Sequence, residues 1–213
     1  GQERGGGCGG TKAEHRSVAA VLQETLKQSF VIDSKPGAAG AIGAGVVARA
    51  PADGYTLLVG IDTTFTVSPH LMASMPFKQA DLKPVVIMAS SGLLMGVNPA
   101  TGIQRFGDLL TQGRQRTLNF SSAGNGSPGH LAASILSNST PIKTAHIGYR
   151  GNTPAVTAVL SGEVDGGILA TPGMIPHVKS GKITALAVTS ARRSALLPQL
   201  PTVAELGLKG LEQ

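Results

Sequence analysis

Tryptophan is absent from this 213-residue chain, aromatic residues make up 3% of it, and charged residues only 14%. A chain so short of large rings does not suit a β-sandwich core. Its 29 glycines, together with abundant alanine, favour tightly packed α/β layers instead. There is one cysteine, Cys8, which excludes an internal disulfide framework and leaves the compartment open. Cys8 sits among glycines and lacks the small apolar residues that precede a lipidation site, so a reactive, non-structural thiol is expected. No stretch reaches the roughly 18 consecutive apolar residues of a membrane span. The opening GQERGGGCGGTK has no apolar core of the signal-peptide kind, so any export signal is expected to have been removed or never present.

Other function classes fall to patterning. The net charge is +6, but Lys and Arg are scattered and no aromatic residues interleave to stack on bases, so no nucleic-acid partner is expected. A mild basic excess suits steering of small anions. His15, His70, His130, His146 and His177 show no metal-ligand spacing, and neither a metal nor another cofactor is expected. No base, nucleophile and orienting group stand in a recognisable arrangement, which argues against an enzyme.

What is present is alternation. The helix AEHRSVAAVLQETLKQ, with an apolar stripe of Val18, Val21, Leu22 and Leu26, is followed by the strand SFVID. A glycine-rich turn, a short helix through GAGVVARA and a buried strand YTLLVG come next. Two apolar runs in VVIMASSGLLMGVNP end at Asn98 and Pro99, which reads as a boundary. A second helix–strand series then runs to ITALAVTS, and a short Pro-punctuated tail LPQLPTVAELGL closes it. The expected fold class is α/β, with two parallel-sheet lobes and a cleft between them. Residues 1–98 are expected to form the first lobe and 99–189 the second.

The stretch SSAGNGSPGHLAASIL, residues 121–136, reads as a strand end, a glycine loop and a helix capped by Ser127 with Pro128 in its first position. Such a loop points backbone N–H groups at an anion, phosphate or carboxylate. The Lys-Ser/Thr of a P-loop is missing. A nucleophile elbow fails because Asn125 stands where the first glycine belongs and Pro128 follows the serine. An ordinary strand-to-helix turn remains equally compatible with the segment. PGAAGAIGAG does not complete a dinucleotide fingerprint. Asp165 reads either as a ligand contact or as a charged strand cap, and His130 as a packing or hydrogen-bonding residue.

Taken together, SKPGAAGAIGAGVVARAPADGYTLLVG, SSAGNGSPGHLAA and HIGYRGNTPAVTAVLSGEVDGGILATPGMIPHVKSGKITALAVTSARRSALLPQLPTVAELG closely resemble the receptors of tripartite tricarboxylate transporters, often called Bug receptors. The resemblance runs from about Ala13 to about Gly210. It implies a type II periplasmic-binding-protein fold closing on a small carboxylate, a periplasmic location, and transporter membrane subunits as partners. It also implies that 190–213 is a truncated crossover back to the first lobe. A ligand-sensing module signalling to a partner protein, or a degenerate fragment that does not bind, stands as the alternative. By position, the resemblance puts ligand contacts on Ala123, Gly124, Asn125, Gly126 and Ser127, on Tyr149, Gly151, Asp165 and Thr171, on Asp62, Thr63 and Thr64, and on Gly9, Gly10 and Thr11. Gly6, Gly7 and Lys12 replace two prolines and an aspartate of the family pattern. Residues 1–12 are expected to be too glycine-rich for the family's first strand. The first lobe would then lack that strand and fray, or form a homodimer through an open sheet edge.

Overall fold

The computed structural model describes residues 3–7 and 12–212 of the chain, so Cys8, Gly9, Gly10 and Thr11, with the roles expected of them, lie outside the described residues. Two compact units emerge, Gly1–Ile87 and Met88–Gln213.

In the first unit, β1 (Glu3–Gly7), α1 (Lys12–Leu26), β2 (Phe30–Ser34), α2 (Ala41–Ala48) and β3 (Thr56–Val59) precede two single-turn helices, α3 (Thr63–Thr66) and α4 (Ser68–Leu71). The three strands form a parallel sheet in the order β2-β1-β3. This corrects the expectation of a missing first strand: ERGGG occupies the centre of the sheet. A ladder needs only backbone N–H and C=O groups, and a middle strand is held through them from both sides, which offsets the entropic cost of its glycines. The open edge that a missing strand would have left is therefore not there, and β2 and β3 are the sheet's edges.

The core of this unit is small. Ala41, Ala44 and Phe77 are buried, with Leu58, Phe65, Met72 and others packed around them and Phe65 meeting Phe77 edge-on at 5.8 Å. The strand expected to be buried, YTLLVG, is only half covered, and Tyr55 is 54% exposed. The α1 stripe is likewise open at Val21 and Leu26.

The second unit carries β4 (Leu93–Val97), α5 (Phe106–Gln115), β5 (Leu118–Ser122), α6 (Pro128–Ser139), β6 (Thr144–Gly148), α7 (Asn152–Ser161), β7 (Gly166–Ala170), α8 (Thr171–Lys179) and β8 (Thr184–Val188). Its five strands lie in the order β6-β5-β7-β4-β8. β5 is parallel to β6 and β7, whereas β4 runs antiparallel to β7 and β8, so this sheet is mixed rather than parallel. Helix–strand alternation predicts direction only for strands joined through one helix. The neighbours of β4, β7 and β8, lie about 70 and about 90 residues further along the chain, beyond the reach of that rule.

Every residue of β4 is buried because the sheet is covered on both faces. Leu93, Met95 and Val97 join one apolar cluster with Leu109, Phe120, Leu136 and Ile168. Leu94, between them, joins the other with Val156, Val159, Leu169 and Met174. The boundary expected at Pro99 falls instead at Ile87 and Met88: Pro99 opens a turn just after β4, inside the second unit. Of the two apolar runs before it, only the second forms a strand; Val85, Val86 and Ile87 are 82%, 74% and 88% exposed. The tail also departs from expectation, since it belongs to the second unit. Val188 N–H donates to Pro201 O and Val203 N–H to Val188 O, while Leu197, Leu200, Val203, Leu208 and Leu211 are buried.

Candidate functional site

β5, β6 and β7 are mutually aligned and end at one edge of the sheet, and each leads into a helix there: α6, α7 and α8. Three helix N-termini, each with orphan N–H groups and partial positive charge, therefore gather along that edge. The 123–127 loop lies between β5 and α6. Gly124 and Gly126 take φ of 122° and 78°, a region that admits glycine without strain. Ser127 caps α6 by accepting the His130 N–H at 3.3 Å, and Pro128 fills the first helical position, as its letters predict.

Several loop donors are committed internally. Gly124 N–H donates to Ser122 Oγ (3.1 Å), Ser127 N–H to Gly124 O (3.1 Å), and Gly126 N–H to His130 Nδ1 (3.1 Å). The N–H groups of Ala123, Asn125 and Gly129 have no partner among the described residues. The donors on offer are thus not all those expected: the Gly126 amide holds the loop's shape, and those of Ala123 and Asn125 are left unengaged among the described residues.

The other expected contacts of this unit divide. Tyr149 sits beside the loop, its N–H donating to Ser122 O at 3.0 Å and its carbonyl 3.1 Å from where a Cβ on Gly124 would stand. Its hydroxyl donates to Glu163 Oε1 at 2.8 Å, and burial with that carboxylate pushes the phenol up to about 12. Gly151, at φ 113°, caps α7, and Thr171 opens α8 with its hydroxyl donating to Gly92 O at 2.6 Å. Asn152 was not singled out by sequence, yet its Oδ1 accepts the Ala170 N–H at 2.9 Å and ties the start of α7 to the end of β7.

Asp165 belongs elsewhere. It precedes β7, at the opposite end of the strand from the loop, about 16 Å away at some 3.3 Å per residue. Its Oδ1 pairs with Arg116 at 2.8 Å and its Oδ2 accepts the Asn119 N–H at 2.8 Å. These contacts match the strand-cap alternative and set Asp165 apart from the loop.

In the first unit, Asp62, Thr63 and Thr64 follow β3, and Thr64 Oγ1 donates to Ala39 O at 2.7 Å, joining two loops at the same sheet edge. Thr63 Oγ1 is buried without a partner among the described residues, as is Ser68 Oγ. An unsatisfied buried hydroxyl costs free energy and is a group that a ligand oxygen satisfies well.

Sequence reasoning missed a histidine pair. His130 and His146 stack with ring centres 4.1 Å apart and planes tilted by 30°, and His146 Nε2 lies 2.5 Å from Ser122 Oγ. Burial first, then His130, holds the His146 imidazole below its usual value. The two lie sixteen residues apart on different elements, so only the β5–β6 register and the docking of α6 bring them together. Among the described residues no cluster of three or more His, Cys, Asp or Glu is placed to hold a metal, and no helix is long and apolar enough to cross a membrane.

Comparison with known proteins gives one answer. Residues 15–213 match the tripartite tricarboxylate transporter family receptor. Protein BugT of Bordetella pertussis is 36% identical over 203 residues, covering 93% of this chain and 62% of that protein. This chain therefore spans about three-fifths of such a relative's length. An R. palustris protein solved with adipate is 31% identical, with a TM-score of 0.89, covering all of this chain and 74% of that one. The periplasmic binding protein BugD is 28% identical, with a TM-score of 0.85, covering all of this chain and 73% of that one.

Proposed function

Because this chain belongs to the tripartite tricarboxylate transporter receptor family, a family of solute receptors and not of enzymes, we propose that it is the capturing part of a periplasmic receptor for small carboxylates. The observation that carries the reading is the convergence of α6, α7 and α8 N-termini on the 123–127 loop, where the Ala123, Asn125 and Gly129 N–H groups are unengaged. A carboxylate suits that setting: it is planar, carries one charge, and accepts up to four hydrogen bonds from backbone donors and hydroxyls. No Lys or Arg lies within the 123–127 loop or α6, and Arg150, between Tyr149 and Gly151, is the cation next to the seat in sequence. Ala123, Gly124, Asn125, Ser127, Tyr149, Gly151 and Thr171 form the seat, Gly126 shapes it, and in the first unit the reading assigns ligand contact to Asp62, Thr63 and Thr64.

Adipate accompanies the R. palustris relative. A four- to six-carbon dicarboxylate is accordingly the first class to try, and delivery to the transporter's membrane subunits is the biological role. Titration calorimetry with adipate, malate, citrate, phosphate and arginine tests the reading. Saturable binding of adipate, malate or citrate, with phosphate and the cationic amino acid arginine bound more weakly, is expected; binding of phosphate or arginine in preference to all three organic acids would overturn it.

A further inference from the structure

Directly beneath the loop, Ser122, His130 and His146 form a continuous set of contacts. We propose that this set couples the seat to a proton: His146 takes up a proton when a carboxylate occupies the loop, while His130 and Ser122 position the loop's backbone. The inference rests on the carboxylate reading above.

Hydrogen bonding separates the two rings. His130 Nδ1 accepts the Gly126 N–H, so in the neutral ring its proton is on Nε2. That bond fixes the His130 ring against the loop. His146 faces a hydroxyl, which can both donate and accept. With a neutral ring, the Ser122 hydroxyl donates to Nε2. With an imidazolium, Nε2–H donates to Ser122 Oγ, and the hydroxyl turns its own proton toward Gly124 O, 3.2 Å away. In both arrangements Ser122 Oγ goes on accepting the Gly124 N–H. One proton thus enters without breaking a loop contact, and the 4.1 Å ring separation disfavours a second.

The surroundings supply no counter-charge. The elements packed against the pair are β5 (LNFSS), β6 (TAHIG), β7 (GGILA) and α6 itself (PGHLAASILSNS), and apart from the two histidines none contains an acid or a base. Lys143 precedes β6, Tyr149 and Arg150 follow it, and Asp165, before β7, is paired with Arg116. Tyr149 carries its hydroxyl to Glu163. Among the described residues no carboxylate stands beside it, and burial first, then His130, makes the empty protein's His146 hold a proton less readily than an ordinary imidazole. An anion on the loop is the missing partner and raises the imidazole's affinity for a proton. The linked contribution is fully present below the empty-state value and is lost as pH rises through the higher, ligand-bound value. Binding should therefore tighten as pH falls through the region below 7.

The test uses adipate with the wild-type chain and His146→Gln. Calorimetry at pH 6.5 in two buffers of different ionisation heat reads proton uptake, and Kd is measured at pH 7.5 and 5.5. Adipate's own titration is common to both proteins. Wild type should take up a fraction of a proton and gain about fivefold more affinity on acidification than the variant, a ratio corresponding to a shift of somewhat under one pH unit. Imidazole nitrogen NMR of the wild type provides a reading that needs no variant: adipate at pH 6.5 should raise the doubly protonated fraction of His146. Adipate binding with no proton uptake, uptake unchanged in His146→Gln, or a neutral His146 in the complex would overturn the coupling and leave the receptor reading intact. Failure of every carboxylate to bind would overturn both.

Discussion

At Gly129 a single missing carbon decides how closely α6 approaches the sheet: a Cβ there would collide with the Ile168 carbonyl oxygen. That oxygen is fixed in β7, so Gly129→Ala must push the start of α6 away from the strand, and a loss of about 2–3 kcal/mol in urea unfolding is expected. Asp165 gives the contrasting case. Asp165→Asn removes the ionic partner of Arg116 while keeping an acceptor for the Asn119 N–H. With Arg116 half exposed, it should cost only about 1 kcal/mol and leave adipate affinity unchanged; a tenfold weaker Kd would restore the ligand-contact reading. At this scale the sequence was informative where a residue's role is local. Ser127 as cap and Pro128 at the first position follow from adjacent letters. The engagement of the Gly126 amide by His130 and the Asp165–Arg116 pair depend on tertiary approach, and no spacing rule reaches them.

Helices and strands were legible from periodicity wherever packing on one side decides burial, as for α5 to α8 and β4 to β8. Two elements escaped it. β1 is built from ERGGG, which carries no apolar alternation, and it exists through its ladders to β2 and β3. The tail carries no long helix or strand, yet it closes one face of the second unit: Leu211 is fully buried and belongs to the same cluster as Phe120 and Leu136. Leu211→Ala should cost about 2–4 kcal/mol, measured as a lowered urea midpoint with unchanged slope. The start of α5 offers a pH signature. Asp108 accepts the N–H groups of Gln104 (3.0 Å) and Arg105 (3.1 Å), and these bonds, the Gln104 one foremost, hold its carboxyl below the ordinary value. Its folded value is depressed, so its contribution is present above the unfolded value and is lost as pH falls through the folded one. Asp108→Asn should lower Tm at pH 6, by an amount that shrinks as pH falls below the ordinary carboxylate range.

Over the whole molecule, the order of motifs identified the family, because a combination of weak signals in fixed sequence is far more specific than any one. The domain boundary was misplaced because Pro99 signals a turn, and turns occur inside units as well as between them. The two units also differ in depth of core. The second has two clusters built from large side chains, whereas among the described residues the apolar cluster of the first is centred on two alanines and one phenylalanine, with Val31, Leu57 and Leu71 substantially exposed. Amides of β4, β5 and β7 should therefore exchange far more slowly than those of β2 and β3. The same hydrogen-exchange experiment, repeated with saturating adipate, tests the central claim most directly. The account predicts slowed exchange concentrated in residues 123–131, 149–153 and 171–173, where the three helices begin. Protection confined to other segments, while calorimetry shows adipate bound, would contradict it.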